Sequence, residues 1–255
     1  MNQAENKILN KENLNNTEIQ INYKVKYSDA FYEQYIANFE PNKKSKWIYC
    51  FIKRTFDIFV SFVCITILLI PFLIIGIIIK CDSKGPMIFK NRRVGKNGRI
   101  FNCLKFRSMS KEAPAEVATS LDSTDLYITR VGKFLRKTSI DELPQLFNVL
   151  VGQMSLIGYR PLVPTEEKCN KMREQLGVFS MRPGISGYSQ VKGRDDVYYK
   201  NKAIMDAYYV KNASIGFDIK LLFSSVFVVL GGKSNWDKTS KEKNRDCEDK
   251  WKLLF

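Results

Sequence analysis

The sequence predicts a mostly α protein with a small β-hairpin, held on one face of a membrane as a monotopic membrane protein. Three observations predict this fold class. The run 58–79 contains no charged residue but has Pro71 past its middle, basic residues flank this run on both sides, and apolar residues recur at helical spacing over 31–39. The expected architecture is a Pro-broken reentrant helix with interfacial amphipathic helices beside it.

The apolar run 58–79 would reach roughly 33 Å as a straight helix, enough to cross a bilayer. Pro71 removes one backbone hydrogen bond, which favours a break, and positively charged flanks tend to stay on the cytoplasmic side. A helix-break-helix hairpin that enters one leaflet and returns satisfies both observations. Ser61 or Thr66 could then bond the freed backbone groups, and a kinked spanning helix is the alternative.

We expect four parts along the chain. Residues 1–46 form a polar N-terminal extension, 47–82 the reentrant membrane segment, 83–232 a cytoplasmic catalytic domain and 233–255 a basic C-terminal tail. A second apolar run, 215–230, is interrupted by Asp218 and Lys220. It is too short and too polar to span, so it predicts an interfacial amphipathic helix or a core helix.

The centre of the chain is strongly basic. From Lys80 to Lys137 there are 14 Lys and Arg residues against five Asp and Glu, within a chain of formal charge +15. Such a surface favours anions, although a solvated basic face is an equally common explanation. Two runs of β-favouring residues in this region, 87–90 and 100–106, predict a short hairpin. Lys105 and Arg107 would share one face of an extended strand, and 110–127 is expected to be a loop.

An acidic pair, Asp141 and Glu142, lies in "SIDELPQ" among basic neighbours. Two helix starts are compatible with this stretch. Ser139 and Glu142 fit a capping box, whereas Asp141 as N-cap suits Pro144 in the first turn. Acids at a helix start commonly only cap. Here the surrounding cations predict low pKa values, hence ionised carboxylates suited to a nucleophile or to Mg²⁺.

Further downstream, "RPGISGYSQVKGR" places three glycines among Arg182, Lys192 and Arg194. It resembles a phosphate- or nucleotide-holding loop, although this signal is weak by itself. The chain contains no histidine and no C-x-x-C motif, which argues strongly against a zinc site.

Taken together, several stretches resemble the bacterial sugar transferases, the small monotopic phosphoglycosyl transferase family. The resemblance runs from about 53 to 232. It is carried by "KRTFD", "SKGPMIFKNRRVGKNG", "KFRSM", "TRVGKFLRKTSIDELPQLFNVLVGQMSLIG", "RPGISGYSQVKGR" and "DAYYVKNASIGFDIK". It implies transfer of a sugar 1-phosphate from a UDP-sugar to a polyprenyl (undecaprenyl) phosphate, with release of UMP, as the first membrane step of a surface glycan pathway such as capsule or exopolysaccharide.

The resemblance also implies roles for residues. Asp141 would be the nucleophile that forms an aspartyl phosphosugar, and Glu142 would bind Mg²⁺. The positions expected to hold substrate phosphates are Lys105, Arg107, Arg136, Arg160, Arg182 and Arg194. The implied location is the cytoplasmic face of the cell membrane, with no nucleic acid partner, and homo-oligomer formation stays open.

Two positions depart from the family pattern. Ile70 stands where the family usually has Ser before the membrane proline, and Tyr159 stands where it has the first Pro of Gly-Pro-Arg-Pro. The departure at Tyr159 affects the direction in which the side chain of the next residue, Arg160, points. Two other functions remain open: a membrane-anchored basic module that binds lipid or nucleic acid without catalysis, and a glycosyltransferase that releases UDP.

Overall fold

The computed structural model describes residues 26–41, 46–110, 127–193 and 198–229, which are mostly helical. Most of the polar N-terminal extension, nearly all of the predicted loop and the C-terminal tail lie outside the described residues. The helices are α1 (Asp29–Asn38), α2 (Trp47–Asp82), α3 (Arg130–Lys137), α4 (Gln145–Leu150), α5 (Glu167–Gln175), α6 (Tyr188–Gly193), α7 (Tyr199–Asn212) and α8 (Ile215–Val229); the strands are β1 (Ile88–Val94), β2 (Ile100–Phe106), β3 (Ser155–Ile157) and β4 (Gly184–Ser186).

The predicted hairpin is confirmed as the antiparallel pair β1–β2. Its register sets Ile88 opposite Phe106 and Val94 opposite Ile100. The turn between the strands contains Asn97 with φ 56° and Gly98 with φ 71°. Asn and Gly tolerate this left-handed conformation better than other residues, so the turn chemistry fixes the register of the hairpin.

A second, parallel pair, β3–β4, was not anticipated from the sequence. Ser155 lies opposite Gly184 and Ile157 opposite Ser186. The chain continues past β3 into Gly158, whose amide donates to the Ser186 carbonyl at 2.9 Å. A Cβ atom on Gly184 would lie 2.1 Å from the Gly158 nitrogen, so this close backbone approach requires glycine.

Helix α2 continues without interruption through Pro71. Within the described ranges it is the one helix long and apolar enough to cross a membrane. The predicted division into two helices is not observed, because the fixed φ of proline is compatible with helical geometry even though one hydrogen bond is lost. Thr66 Oγ1 instead donates to the Phe62 carbonyl at 3.0 Å, and Ser61 Oγ has no partner in the described part of the chain. The reentrant course stays a prediction.

One face of α2 packs along the rest of the protein. Phe72 and Ile79 are buried against Phe106 and Leu135. The opposite face leaves large apolar side chains exposed, including Trp47, Phe51, Phe59, Phe62, Ile67, Ile70, Leu73 and Ile77. An exposed apolar face of this extent indicates contact with lipid or with another protein.

Helices α5 and α7 pack together and form the main core with α1. Phe31 and Tyr35 of α1 are almost completely buried in this core, and Ser28 caps the helix through the Phe31 amide. Tyr32 Oη donates to Asn201 Oδ1 at 2.7 Å. The helical spacing found over 31–39 is therefore confirmed, and α1 is an integral part of the core.

Helix α8 is amphipathic, which agrees with the first of the two interpretations of the run 215–230, an amphipathic helix or a core helix. Ile219, Phe223 and Phe227 are exposed, whereas Leu221 is buried. Asp218, which interrupts the apolar run, turns inward and forms an ion pair with Lys53 of α2 at 2.7 Å. Its carboxylate also accepts from Tyr49 and Tyr209, each at 2.7 Å. Asp218 thus joins the last described helix to the start of α2.

Candidate active site

The acidic pair lies in a 3-10 turn, Ile140–Glu142, between α3 and α4. Neither predicted cap is present. Ser139 makes no side-chain capping bond, and Pro144 occupies the N-cap position of α4. Ser139 instead adopts the left-handed conformation, with φ 58°. This conformation turns the chain sharply after α3 and places both acidic residues in the 3-10 turn.

Two cations converge on Glu142. Lys105 Nζ lies 2.7 Å from Glu142 Oε1, and Arg160 Nη2 lies 3.2 Å from the same oxygen. Burial alone would raise the pKa of Glu142, but the charges and hydrogen bonds of Lys105 and Arg160 lower it to about 2. Glu142 is therefore an ionised anchor that holds two cations in one place.

Asp141 has a different environment, although it is the adjacent residue. It is 7% exposed, and the described residues provide no hydrogen bond to its carboxylate. Burial raises the pKa of Asp141, opposed by the charge of Lys105 and assisted by the negative charge of Glu142. The expected low pKa is therefore right for Glu142 and wrong for Asp141. A carboxylate without hydrogen bonds keeps its lone pairs available for an electrophile.

A third cation completes the cluster. Arg136, in the last turn of α3, donates from Nε to Ser108 Oγ at 3.0 Å. Its charge acts on Asp141 and opposes the rise of that pKa. Lys105, Arg136 and Arg160 thus come from a strand, a helix and a loop, and they surround the acidic pair.

The other predicted phosphate-binding residues are bonded elsewhere. Arg107 donates from Nη2 to the Ser83 carbonyl at 2.5 Å and to Ser83 Oγ at 2.8 Å, at the end of α2. Arg182 donates from Nε to the Gly152 carbonyl at 2.8 Å, just beyond the C-terminal end of α4. Lys105 and Arg107 therefore do not act on a common partner, and Arg194 lies outside the described residues.

The residues that hold this cluster together are not evident from the sequence. Asn148 of α4 accepts from the Leu104 amide at 2.9 Å and donates to the Asn102 carbonyl at 2.8 Å. This pairing ties α4 to β2 and so fixes Lys105 relative to Glu142. The only hint in the sequence is an asparagine inside an apolar helical stretch, where it should need buried partners.

Side chains of α2 bond the end of α4 and strand β3, which follow the acidic turn. Arg54 donates to the carbonyls of Val149 and Leu150 at 2.7 and 3.0 Å, and Asp57 accepts from the Leu156 amide at 3.1 Å. A cation at the carbonyl end of a short helix satisfies groups that lack partners within the helix. The membrane segment and the acidic turn therefore belong to one packed unit.

The acidic pair would suffice for a magnesium ion only if a phosphorylated ligand supplied further oxygens. Among the described residues, no group of three or more His, Cys, Asp or Glu side chains could hold a metal. Mg²⁺ commonly takes only one or two carboxylates and fills its remaining positions with phosphate oxygens and water. Glu142 Oε1 is taken by the two cations, so Oε2 and the Asp141 carboxylate are the oxygens that could bind the ion.

Ser139 offers a direct test of the turn. Ser139→Gly should keep or raise the free energy of unfolding, because glycine adopts φ 58° without strain. Ser139→Val should lower it by about 1–3 kcal/mol, since a β-branched residue resists this conformation. Denaturant unfolding of the purified protein measures both. Ser224→Val, within helical α8, is the matched control, and an equal loss there would disprove strain at Ser139.

Comparison with known proteins finds one family along most of this chain. A family model described as bacterial sugar transferase matches residues 48–232. A UDP-galactose-lipid carrier transferase of Erwinia amylovora is 43% identical over 196 residues, which is 71% of this chain and 40% of that protein. An undecaprenyl-phosphate galactose phosphotransferase of Salmonella typhimurium is 41% identical, over 71% of this chain and 40% of that protein.

A shorter relative aligns over most of its length. The exopolysaccharide production protein ExoY of Rhizobium meliloti is 35% identical over 191 residues, which is 68% of this chain and 83% of that protein. By contrast, the chain spans about two fifths of the two relatives above. The segment matched by the family model contains all of α2 except its first residue, the hairpin and the whole cluster around the acidic pair.

Proposed function

Because the chain belongs to the bacterial sugar transferase family, we propose that it transfers a sugar 1-phosphate from a UDP-sugar to undecaprenyl phosphate and releases UMP. The observation that carries this proposal is the contrast within the acidic pair. Asp141 is buried without a hydrogen bond beside three cations, and Glu142 anchors two of them. Relatives named for undecaprenyl phosphate and for galactose or UDP-galactose support the substrate classes.

The first step is an attack of the Asp141 carboxylate on the β-phosphorus of the UDP-sugar. A new bond forms between the carboxylate oxygen and phosphorus, and the bond from this phosphorus to the bridging oxygen breaks. UMP departs with the bridging oxygen and its electron pair. Lys105, Arg136 and Arg160 oppose the negative charge that collects on the phosphoryl oxygens, which is the main contribution expected from such a cluster.

The second step returns the enzyme to its starting form. A phosphate oxygen of the polyprenyl phosphate attacks the phosphorus of the aspartyl phosphosugar, and the carboxyl–phosphorus bond breaks. The product is a polyprenyl diphosphosugar, and Asp141 is again a carboxylate. Glu142 Oε2 would hold Mg²⁺, which supplies a positive charge that neutralises phosphate oxygens when it is bound.

The reaction requires the site to lie at the membrane surface, and contacts at the two ends of α2 support this position. Lys46 Nζ donates to the Lys211 carbonyl at 2.9 Å, and Ser83 accepts from Arg107. Both ends of α2 therefore contact the same folded part of the protein. We propose that α2 enters the membrane from the cytoplasmic face and that both ends stay there, as its basic flanks predict.

The identity of the reaction is tested with purified protein in vesicles that contain undecaprenyl phosphate. A small panel of UDP-sugars is supplied, and the released nucleotide is identified by chromatography. UMP supports the proposed reaction. UDP would indicate a glycosyltransferase, and vesicle binding without release of either nucleotide would indicate a non-catalytic basic module.

The position of α2 gives a separate prediction. Single cysteines at Asn42 and Ser83, in a background without native thiols, should be protected from a membrane-impermeant reagent in intact cells and labelled after lysis. The reason is that a crossing helix would put one basic flank outside, against the usual bias. Labelling at Asn42 alone in intact cells would mean that α2 spans the membrane.

The pH dependence of the first step follows from the two different carboxylates. Single-turnover UMP release without acceptor should fall as pH drops through the pKa of Asp141, which burial raises above its ordinary value of 3.8. Protonation of Glu142 should not contribute, since its pKa is about 2. The measurement is the rate across the acid range. A rate that stays flat to the pH where the protein unfolds would contradict Asp141 as the nucleophile.

A further inference from the structure

A fully buried ion pair joins helices α5 and α7, and neither of its residues takes part in the reaction described above. Arg173 of α5 and Asp206 of α7 are both 0% exposed, and Arg173 Nη2 donates to Asp206 Oδ2. Asp206 also accepts from Ser189 Oγ at 2.9 Å. Removing two charges from water costs about as much as their attraction returns, so such a pair contributes little to stability by itself.

Arg173 also contacts the loop that carries Arg160, one of the cations of the candidate active site. Its Nη1 donates to the main-chain carbonyl of Arg160 at 2.9 Å. Its guanidinium also lies 5.5 Å from the centre of the Tyr159 ring, a cation–π distance. Arg173 therefore holds two consecutive residues of one loop, one by its carbonyl and one by its ring.

Tyr159 is fixed on its other sides as well. It is 0% exposed, its ring lies 5.7 Å from that of Phe179, and its carbonyl accepts from the Gly184 amide at 2.9 Å. Proline at this position would restrict the backbone through its own ring. Here that restriction must come from the packing of the tyrosine side chain and from Arg173.

The side chain that leaves this loop is the one that reaches Glu142. Arg160 Nη2 lies 3.2 Å from Glu142 Oε1, while the Arg160 carbonyl is held from behind by Arg173. We propose that Arg173, Asp206 and Tyr159 form a positioning network that aims Arg160 at Glu142. This inference rests on the proposed function for its effect on the reaction, but the constraint on the loop can be measured without it.

The test is the double variant Arg173→Met/Asp206→Asn. It removes both charges together, so no unpaired charge stays buried, and asparagine keeps an acceptor for Ser189. The control is Met172→Ala, which shortens a buried side chain in the same core but leaves the Arg173–Arg160 hydrogen bond in place. Each variant is assayed for kcat and KM of UMP release and for hydrogen exchange of backbone amides over 157–163.

We expect the double variant to lose up to about 100-fold in kcat/KM, because a small misplacement at a reacting centre can cost this much. Its backbone amides over 157–163 should also exchange hydrogen faster than those of the parent protein. Met172→Ala should change neither by more than about threefold. Combined with Arg160→Met, the double variant should add almost no further loss, because both changes act on the reaction through the contact of the Arg160 side chain with Glu142. Tyr159→Leu should reproduce part of the loss, and Tyr159→Phe should retain activity because the ring is kept.

The network would be overturned if the losses of the double variant and of Arg160→Met were additive. It would also be overturned if amides over 157–163 exchanged no faster in the double variant than in Met172→Ala. If the parent protein releases no UMP, the proposed function fails, and the exchange measurement then decides the inference by itself. Faster exchange in the double variant would sustain the constraint on the Arg160 loop, and unchanged exchange would refute it.

Discussion

Asp141→Asn is expected to abolish steady-state UMP release while leaving membrane association unchanged. The amide has almost the same shape as the carboxylate but cannot form the acyl phosphate, so turnover should fall by about 10⁴-fold or more. The measurement is UMP release with the best UDP-sugar of the panel, together with flotation on vesicles. Asp141 is buried, and its carboxylate accepts no hydrogen bond from the described residues. The loss should therefore come from the chemistry and not from a broken hydrogen bond.

The matched control is Asp82→Asn, the same chemical change at an exposed residue at the end of α2. It should leave the rate within about twofold, as expected for a surface substitution. Substantial turnover by Asp141→Asn would refute the nucleophile assignment. A burst of one UMP per enzyme in the parent protein without acceptor would support it further.

Glu142→Gln is expected to lower kcat by about 10²- to 10³-fold, the scale of losing one preorganised electrostatic element. In the structure, Glu142 is the anion that Lys105 and Arg160 share. A neutral amide would leave both cations without their counter-charge, and it would also weaken any metal held at Oε2. The rate should therefore fall and require more Mg²⁺ to saturate.

The control is Glu167→Gln, at an exposed position in the first turn of α5, which should preserve both the rate and the magnesium dependence. Treatment of the parent protein with EDTA should remove activity, and added Mg²⁺ should restore it. Full activity in EDTA would mean that Glu142 acts only as an anchor for the two cations and that the metal role is wrong.

The sequence by itself determined the local features of this protein. The uncharged run predicts an apolar helical membrane segment because it contains no charged group, although the predicted division at Pro71 is not observed. The β-favouring runs with their glycines predict the hairpin. The acidic pair among cations marks the candidate site. Each of these properties depends on neighbours within a few residues along the chain, so they can be seen without a structure.

Only the tertiary structure decided how the charges are distributed within the site. Asp141 and Glu142 are adjacent in sequence, yet one has its pKa raised by burial and the other has it lowered by Lys105 and Arg160. These two cations lie 37 and 18 residues from Glu142 along the chain. Arg107 was expected beside Lys105 but bonds the end of α2.

The same reason explains why Arg173 and Asp206 were not foreseen, although their contact fixes the Arg160 loop. They are separated by 33 residues, and nothing in either helix marks them as partners. Hydrophobic period and turn residues report which face of an element is buried. The direction of a long charged side chain depends instead on which distant oppositely charged group and which carbonyl the packed fold brings within hydrogen-bonding distance.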